Sequence, residues 1–416
     1  MTNAKPHVLI VGGGIGGLTL AQCLRKRGIS FEIFERDPEL RTSGWCIYIH
    51  SIIPQLRAAI PDDVPDLALT NHLLPLDLPS QSVVYLADRP GTRYGVTSRG
   101  THDMVRADRV LLRQFLATKI PCQMGKRAVS FEELPESVTV RFEDGTSATG
   151  NILVCADGTN SALRGQLLGR ELKPQLLPVA SIGGEVTLSG KDFENELRLG
   201  HSSRSNFFSE PAEPGLPVVH IFCALKRVLP DGHSGEYYWF TIWVDDNVAD
   251  PAHWTKTASR KELHDFVIRT TRGMEPRVRN IVDLTPVDKL IGDPFPQRAL
   301  MLTDLPIGRV TLLGDAAHCM PPTRGEAGVH AMMDALKLAE CIGNINAVND
   351  HDGSSTKGAV SIYQEEMLRR SQATVRKNVD ASSLNLSVRI AGQTVEKHSI
   401  GLSTAQGHHL AMQHNM

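Results

Sequence analysis

The apolar positions near the start of the chain follow two different spacings. A continuous apolar run at residues 8–11 leads into glycines, and from residue 18 to 27 apolar side chains recur at helical spacing before a glycine stop. A second apolar run at residues 31–34 follows. Short continuous runs are typical of buried strands, and a recurrence every three to four residues is typical of helices. The pattern predicts a βαβ unit in which the first strand turns tightly into the helix.

Residues 105–116 have apolar side chains on one face of a helical projection and arginines on the other, which predicts an amphipathic helix that carries Arg106. Residues 138–142 alternate between apolar and polar side chains and run into the turn signal at 143–145. This alternation predicts a strand of a hairpin. The apolar residues 152–156 then predict a buried strand that ends at Asp157.

Between about residue 175 and 300 the pattern changes to strand-like pieces separated by Pro, Gly and Asp, at 179–188, 206–208, 218–225 and 237–244. They predict an antiparallel sheet inserted into the first lobe. The fold class is therefore α/β, a Rossmann-like nucleotide-binding lobe with an inserted antiparallel-sheet substrate lobe and C-terminal helices. We expect the nucleotide-binding lobe at 1–174 and 301–345, the inserted lobe at 175–300 and the helical region at 346–416.

Composition and charge narrow the function class. The chain of 416 residues is 41% hydrophobic and 22% charged, and its net charge of −2 disfavours a surface that binds nucleic acid. Seven scattered cysteines without a C-x-x-C pair argue against a disulfide framework and a zinc site, and no metal is expected. No apolar run is long enough to cross a bilayer, and no signal sequence precedes the first strand, so we expect a cytoplasmic protein.

The glycines after the first strand form a G-x-G-x-x-G motif, in which the helix amides are expected to face a pyrophosphate. Glu35 ends the second strand, where this fold places a carboxylate that accepts hydrogen bonds from an adenosine ribose. Arg36 is a candidate to stack on the adenine, with exposure to solvent as the alternative. The cofactor-binding candidates in this segment are Gly12, Gly14, Ile15, Gly16, Gly17, Glu35 and Arg36.

Later motifs follow in a characteristic order. Arg106 comes first, then Asp157-Gly158 with Asn160, Ser161 and Arg164, and then residues 314–318 (Gly-Asp-Ala-Ala-His) with Pro322 and Gly325. With the glycine motif, this order resembles the single-component FAD-dependent monooxygenases typified by para-hydroxybenzoate and salicylate hydroxylases, particularly the fungal secondary-metabolism members. The resemblance covers residues 5–390 and implies FAD as cofactor.

The resemblance assigns roles to these residues. Arg106 is expected to approach the ribityl-pyrophosphate region, Asp157 the pyrophosphate and the nicotinamide donor, and Asp315 the ribityl hydroxyls. The alternatives are a solvated helix arginine for Arg106, which is the interpretation favoured for Arg109 and Arg113, a carboxylate that caps a turn for Asp157, and a helix N-cap for Asp315. The other cofactor-binding candidates are Gly44, Gly314, Pro322, Gly325 and Gly328. The chain departs from the family pattern at Ala327, where glycine is usual, and alanine is tolerated there only if the backbone is helical.

The resemblance also implies an activity. Such an enzyme uses NAD(P)H and O2 to oxygenate an aromatic or polycyclic small molecule through a flavin C4a-hydroperoxide. Because the chain has no second G-x-G-x-x-G motif, NAD(P)H is expected to be a transient co-substrate. The alternative is a flavin oxidase or dehydrogenase that is reduced directly by its substrate. A fold relative that only binds a protein partner is disfavoured by the retained glycine motif and Asp315.

Candidate catalytic residues are fewer. Arg204 and Tyr237 resemble in position an Arg and Tyr pair that binds and deprotonates phenolic substrates in some fungal members, and a surface arginine with a core tyrosine is the alternative. His50 is a further candidate near the flavin. Several aromatic side chains could line a substrate pocket, although at strand spacing half must face the other way; they are Phe207, Phe208, Tyr237, Tyr238, Trp239, Phe240 and Trp243.

Overall fold

A computed structural model describes residues 5–86, 93–100, 103–208, 210–293, 296–345, 350 and 353–382. The chain divides into two compact units. Among the described residues, the first unit takes those within 5–70, 109–175 and 298–378, and the second unit takes those within 71–108, 176–297 and 379–382.

The strands, in chain order, are β1 (Val8–Val11), β2 (Phe31–Phe34), β3 (Ile47–Ile49), β4 (Gln81–Leu86), β5 (Arg93–Thr97), β6 (Val105–Ala107), β7 (Cys122–Gln123), β8 (Ala128–Glu133), β9 (Val138–Phe142), β10 (Ser147–Gly150), β11 (Ile152–Cys155), β12 (Gln175–Leu176), β13 (Val179–Ser189), β14 (Ser203–Phe207), β15 (His220–Val228), β16 (Ser234–Val244), β17 (Leu290–Gly292), β18 (Arg298–Ala299) and β19 (Val310–Leu312).

The helices are α1 (Ile15–Lys26), α2 (Ile53–Ala59), α3 (Arg109–Leu116), α4 (Ala162–Leu168), α5 (Gly190–Gly200), α6 (Trp254–Thr257), α7 (Arg260–Thr270), α8 (Pro276–Asp283), α9 (Asp315–His318), α10 (Ala327–Gly343) and α11 (Ser354–Ser382). Short 3₁₀ turns lie at Leu67–Thr70, Val287–Lys289 and Pro322–Arg324.

The first unit is built on a parallel sheet with the strand order β19–β11–β1–β2–β7. Its central strands are apolar throughout, and β1 and β11 are buried along their whole length, as expected for a sheet covered on both faces. The predicted βαβ unit is confirmed by the parallel register of β1 with β2, and the predicted hairpin by the antiparallel pairing of β9 with β10.

The second unit contains a sheet with the strand order β17–β13–β16–β15–β14–β4–β5. The pairs β13–β16 and β15–β16 are antiparallel over most of their lengths, which confirms the predicted antiparallel sheet. One face packs into a hydrophobic cluster with side chains of α5, α7 and α8. We call it the helix-covered face and the other the opposite face; alternation along each strand assigns every side chain to one of them.

The chain between residues 71 and 108 differs from the prediction in two ways. The structure groups residues 71–108 with the second unit, whereas the sequence placed them within the lobe at 1–174. The predicted helix over 105–116 is wrong at its start, because residues 105–107 form β6 and α3 begins at Arg109. Asp108 separates the two, and Asp favours helix N-termini over helix interiors, so it is a natural point for the change.

None of the helices that the structure describes is both long enough and apolar enough to cross a membrane.

Candidate functional site

Four parallel strands of the first unit end at one edge of the sheet. In the register of the sheet, Val11 lies beside Phe34 and Cys155, and Cys155 lies beside Leu312. Open α/β sheets bind ligands at the edge formed by the carboxyl ends of their strands, and we call this edge the ligand edge. The chain leaves this edge at Gly12, Glu35, Ala156 and Leu313, so the predicted cofactor motifs at 12–17, 35, 157 and 314–315 come together.

The glycine turn after β1 is close-packed on one side and open on the other. A Cβ on Gly12 would lie 2.2 Å from the carbonyl oxygen of Ala156, and one on Gly17 would lie 2.0 Å from that of Gly12. Gly12 also has φ +118°, a conformation that favours glycine. By contrast, a Cβ on Gly14 would meet nothing within 4 Å. The turn therefore leaves open space next to Gly14, at the N-terminus of α1.

That helix N-terminus lacks a side-chain cap. Gly14 is the N-cap of α1, Ile15 is its first residue, and the first turn contains no acidic residue. The unsatisfied amides and the helix dipole of an uncapped N-terminus favour an anionic group. The location fits a pyrophosphate.

Glu35 is tied to the same turn. Its Oε2 accepts a hydrogen bond of 2.7 Å from the amide of Gly13, and its Oε1 accepts one of 3.0 Å from the amide of Asp37. The carboxylate is held in place with lone pairs to spare, because each ionised carboxylate oxygen can accept more than one hydrogen bond. Arg36 is exposed, 3.8 Å from Asp37.

Asp157 follows β11 with one oxygen bonded and one open. Oδ2 accepts the amide of Ala162 at 3.0 Å, which caps the loop before α4. Oδ1 is buried and has no hydrogen-bond partner among the residues described. Burial raises the pKa of Asp157, and its local hydrogen bonds oppose that shift only in part. An open buried carboxylate oxygen at the ligand edge is suited to a donor group from a bound molecule.

The turn after β19 carries Gly314 and Asp315. Gly314 has φ +64°, which favours glycine, and it is the N-cap residue of α9. Asp315 lies in the first turn of α9 without a side-chain cap hydrogen bond. Its Oδ2 accepts a 3.3 Å hydrogen bond from the hydroxyl of Thr159, in the loop after Asp157. The alternative assignment of Asp315 as the N-cap is therefore wrong, and the residue has acceptor capacity left for a ligand hydroxyl.

A buried carboxylate accepts a hydrogen bond from the backbone of this turn. Asp334 of α10 is fully buried, and its Oδ2 accepts the Gly314 amide at 2.9 Å and His318 Nε2 at 2.6 Å. Its Oδ1 accepts Arg370 of α11 at 2.6 Å. Burial opposes charge on His318 and Asp334, but their ion pair outweighs it, so the pKa of His318 is raised and that of Asp334 is lowered. His318 thus has a packing and pairing role.

Arg164 joins the loops that contain Asp157 and Asp315. It is 2% exposed, and its Nη1 donates to the carbonyl oxygens of Thr159 and Ala316, each at 3.1 Å. An arginine has several donors in a fixed plane, so one side chain can bridge two backbone segments. Arg164 therefore joins the loop after β11 to α9, two segments that are distant in the sequence.

The segment after α9 places the remaining glycines. Pro322 begins a short 3₁₀ turn, Gly325 follows with φ +65°, and a Cβ on Gly328 would lie 2.9 Å from Ile47. Ala327 is the first residue of α10 and therefore helical. The departure from the family pattern at Ala327 thus costs no backbone strain.

Arg106 and Arg109 lie in different units and have different surroundings. Arg106 lies in β6 of the second unit, is 1% exposed, and donates to the Leu225 carbonyl and, at 2.8 Å, to the Tyr238 hydroxyl. Arg109 begins α3 in the first unit, where a Cβ on Gly44 would lie 2.7 Å from its Cδ. Gly44 has φ +123°. Arg106 is therefore not on the predicted helix, and its cofactor role stays a prediction.

His50 is a buried residue of the first unit. It is 6% exposed, its Nδ1 lies 3.2 Å from the Ser51 hydroxyl, and its Nε2 has no partner among the described residues. Burial lowers the pKa of His50, although the charge of Glu326 acts the other way. The ring is neutral at neutral pH. Its catalytic role stays a prediction.

Arg204 and Tyr237 lie together on the helix-covered face of the second unit. Each is 1% exposed, and Arg204 makes an ion pair with Glu196 of α5, with Nη2 and Nε at 2.6 and 2.7 Å from Oε1. The Tyr237 ring packs edge-on against Phe193 of the same helix, 6.2 Å between centroids. These contacts give the pair a structural role under α5, and its catalytic role stays a prediction.

The aromatic side chains divide between the two faces. Tyr237, Trp239 and Trp243 belong to the hydrophobic cluster under the helices. Tyr238 and Phe240 point to the opposite face, where Phe240 stacks on Phe222 with centroids 5.0 Å apart. Aromatic side chains thus lie on both faces of the sheet, as alternation along the strands predicts, and both faces contain stacked pairs.

The residues of the ligand edge fit FAD. The open space at Gly14, the uncapped α1 and the unpartnered Oδ1 of Asp157 offer room, amide donors and an acceptor for a dinucleotide. No group of three His, Cys, Asp or Glu side chains within the described ranges could hold a metal ion.

Sequence reasoning missed three residues of this site. The sequence offered no sign that Asp334 pairs with the Gly314 amide, because that contact depends on how α10 packs. Arg164 was quoted as part of a motif but given no role. The amphipathic pattern makes Arg109 a solvated helix arginine, and Asp108 before it, a residue typical of helix N-termini, could have marked it as the first helical residue.

Comparison with known proteins agrees with this geometry. A family profile described as an FAD binding domain matches residues 101–378, and one described as an NAD(P)-binding Rossmann-like domain matches residues 10–58. The chain is 44% identical over 388 residues to the FAD-dependent monooxygenase thnD of Trichoderma harzianum, covering 91% of this chain and 94% of that protein. It is 31% identical over 372 residues to the FAD-dependent monooxygenase dbaB of Emericella nidulans, covering 82% and 88%.

Solved structures share the fold. The 2,6-dihydroxypyridine-3-hydroxylase of Arthrobacter nicotinovorans superposes with a TM-score of 0.67 at 20% identity, covering 93% of this chain and 94% of that one. HpxO of Klebsiella pneumoniae, solved with FAD and uric acid, superposes with a TM-score of 0.66 at 21% identity, covering 92% and 88%.

Proposed function

The chain belongs to the FAD-dependent monooxygenases, and from that premise we propose that it uses NAD(P)H and O2 to oxygenate an aromatic or polycyclic small molecule in secondary metabolism. The observation that carries this proposal is the ligand edge of the first unit, where the glycine turn, Glu35, Asp157 and Asp315 meet. Its named relatives support the reaction type.

We assign the parts of FAD to the residues of this edge. The amides at the start of α1 would hold the pyrophosphate, Glu35 the adenosine ribose, and Asp315 the ribityl hydroxyls. Asp157 would accept a hydrogen bond from a hydroxyl of the ribityl chain at its open Oδ1. We propose Arg109 in place of Arg106 as the arginine that approaches the cofactor, because Arg109 lies in the first unit beside Gly44.

Bound FAD supplies redox chemistry that protein side chains lack, accepting a hydride and activating O2. The contribution of the chain is to bind, orient and exclude water. The N-terminus of α10, which follows Gly325, favours negative charge in its vicinity through its dipole. Asp334 and Arg164 fix the turn and the loop on which the ligand-facing acids lie.

We infer further that NAD(P)H visits transiently and that O2 and an aromatic small molecule are the other reactants. The sequence shows a single G-x-G-x-x-G motif, at Gly12, and the profiles for both nucleotide types overlap the first unit. A cytoplasmic location and the absence of a nucleic-acid partner are part of the proposal, supported by the net charge of −2.

The alternative, an oxidase or dehydrogenase reduced directly by its substrate, uses the same FAD site. An anaerobic experiment separates the two. Purified holoenzyme is mixed with NADPH or NADH under nitrogen, with and without a panel of phenols and polycyclic aromatics, and the flavin absorbance near 450 nm is followed. A monooxygenase is bleached by the nicotinamide, faster in the presence of its substrate.

The result that contradicts the proposal is equally clear. A flavin that no nicotinamide bleaches but that one of the aromatics bleaches by itself would assign the chain to the oxidases. A purified protein without flavin, which also fails to bind added FAD, would overturn the assignment of the cofactor residues.

A further inference from the structure

A pocket lies at one end of the large sheet of the second unit. It has a volume of about 250 Å³ and is lined by Phe207, Phe208, Pro217, Val218, Val219, His220 and Val244. These residues come from the end of β14, the start of β15 and the end of β16, with the adjoining loop. The volume suits one or two aromatic rings rather than a large cofactor.

The pocket is apolar with one exception. Among its described lining residues only His220 has a side chain that can form a hydrogen bond, and none carries a fixed charge. Phe207 stacks on the His220 ring with centroids 5.2 Å apart and an interplanar angle of 29°. The stack gives the pocket a flat aromatic wall with one polar ring.

His220 is unusual because it is buried with an unsatisfied nitrogen. It is 8% exposed, and its Nδ1 has no hydrogen-bond partner among the residues the structure describes. A buried polar atom without a partner costs about 1–3 kcal/mol in a folded protein. Such an atom beside a pocket is a candidate contact for a ligand.

The His220 ring is neutral at neutral pH, because burial lowers its pKa to about 4. A neutral imidazole can accept a hydrogen bond from a hydroxyl or donate one to it, but it does not offer a charge to a carboxylate. The chemistry of the pocket therefore favours an uncharged group.

We propose that this pocket binds the aromatic substrate of the monooxygenase as a neutral phenol, with the ring between Phe207 and the valines and its hydroxyl hydrogen-bonded to His220 Nδ1. The proposal rests on the proposed function for the nature of the ligand, and deepens it. It assigns His220 to substrate selection: uncharged phenols enter, and aromatic carboxylates are excluded by the cost of desolvating their charge.

The test uses three small aromatic probes of one shape, 1-naphthol, naphthalene and 1-naphthoate. Binding to the FAD-loaded holoenzyme is measured by equilibrium dialysis without NAD(P)H, so that no turnover occurs. We expect 1-naphthol to bind about tenfold more tightly than naphthalene, the value of one hydrogen bond to a buried group, and 1-naphthoate to bind least.

Four variants locate the effect. His220→Leu keeps the volume and removes the hydrogen bond, so the preference for 1-naphthol over naphthalene is expected to disappear. His220→Asn keeps a polar atom near the position of Nδ1 and is expected to retain most of the preference. Phe207→Leu is expected to weaken both ligands alike, about fivefold, through loss of stacking. His233→Leu, which changes an exposed histidine outside the pocket, is the control and is expected to change nothing.

Three results would overturn the inference. They are 1-naphthoate binding as tightly as 1-naphthol, an unchanged naphthol preference in His220→Leu, and affinities that none of the pocket variants alters. Because Phe207→Leu and His220→Asn report on the same pocket, failure of one variant to fold does not remove the test. Anaerobic bleaching of the wild-type flavin by NADPH is recorded in the same preparations; its failure would count against the proposed function, independently of His220.

Discussion

Both units bury a carboxylate that is paired with an arginine, and the two pairs do different things. Asp334 in the first unit pairs with Arg370 and His318, and the same carboxylate accepts the amide of Gly314. Glu196 in the second unit pairs with Arg204, inside a cluster packed under α5. The first pair is connected to the backbone of the Gly314 turn, which we propose binds FAD, whereas the second fixes a helix to a sheet. We therefore expect a buried ion pair to affect ligand binding only where one of its members is also hydrogen-bonded to a segment that contacts the ligand.

The largest predicted effects come from breaking each pair with an isosteric change. Glu196→Gln should lower the free energy of unfolding of the FAD-depleted protein by about 3–5 kcal/mol, because Arg204 then remains buried without its partner charge. Asp334→Asn should lower it by less, because Arg370 keeps its ion pair with Glu366 at 2.8 Å. Only Asp334→Asn should also weaken FAD binding, by about tenfold or more, since it loosens the Gly314 turn. Urea denaturation measures the first quantity and flavin fluorescence titration the second. Equal FAD affinities in the two folded variants would remove the distinction drawn above.

A second pair of changes separates folding from binding within one turn. Gly17→Val places side-chain atoms against the carbonyl oxygen of Gly12, and should destabilise the protein by about 1–3 kcal/mol or prevent folding. Gly14→Val extends into open space, so the variant should fold normally and bind little FAD. Circular dichroism melting and the flavin content after purification give the two readouts. A Gly14→Val protein with a normal flavin content would show that FAD does not occupy this turn.

Asp315→Ala should sharpen the contrast with Asp334. Asp315 makes a single described side-chain hydrogen bond, a long one of 3.3 Å from Thr159, so its removal should leave the melting temperature nearly unchanged. FAD affinity should fall about tenfold, the value of a hydrogen bond between a charged acceptor and a ligand hydroxyl. Titration of FAD-depleted protein provides the measurement, with Thr159→Ala as a nearby control that should alter affinity far less.

The smallest expected effect is a stabilisation. The raised pKa of Asp157 means that its protonated form is favoured in the folded protein, so folding becomes less favourable as pH rises from the ordinary Asp value of 3.8 through the raised one. Asp157→Asn removes that loss, and should stabilise the FAD-depleted protein at neutral pH, by less than any of the changes above. Melting temperatures of both proteins between pH 4 and 7 should diverge with increasing pH. Parallel curves would show that the carboxyl titrates normally.

The strands and the glycine turn could be predicted from the sequence better than the direction in which individual side chains point. The parallel strand ends and the glycine turn were predictable, because a tight turn between a buried strand and a helix leaves few backbone solutions and those require glycine at positions such as Gly12. The four motifs converge because the carboxyl ends of neighbouring parallel strands share one edge, which follows from topology and not from the identity of any side chain.

Predictions that depended on the facing of a side chain were weaker. Arg106 was placed on a helix, because its apolar neighbours fit helical spacing as well as a buried strand, and Asp108 was not recognised as the break. Arg204 and Tyr237 differ by one position from residues that point to the opposite face, and a shift of one residue reverses the face of a strand. Asp334 could not be found at all, since its partner Gly314 is twenty residues away and meets it only through packing.

The bridge made by Arg164 joins segments that are distant in the chain, which affects when the proposed FAD site can form during synthesis. The proposed FAD site is built from segments that are synthesised at very different times. They are the glycine turn near residue 12, the loop at 157–160, the turn at 314–315 and, in α11, Arg370, which bonds Asp334. Because domains fold as units during synthesis, the site cannot be completed by its N-terminal segments until the C-terminal ones have been synthesised. A nascent chain that stops short of α11 has Asp334 but lacks its partner Arg370, so we expect FAD to bind stably only after α11 has been made.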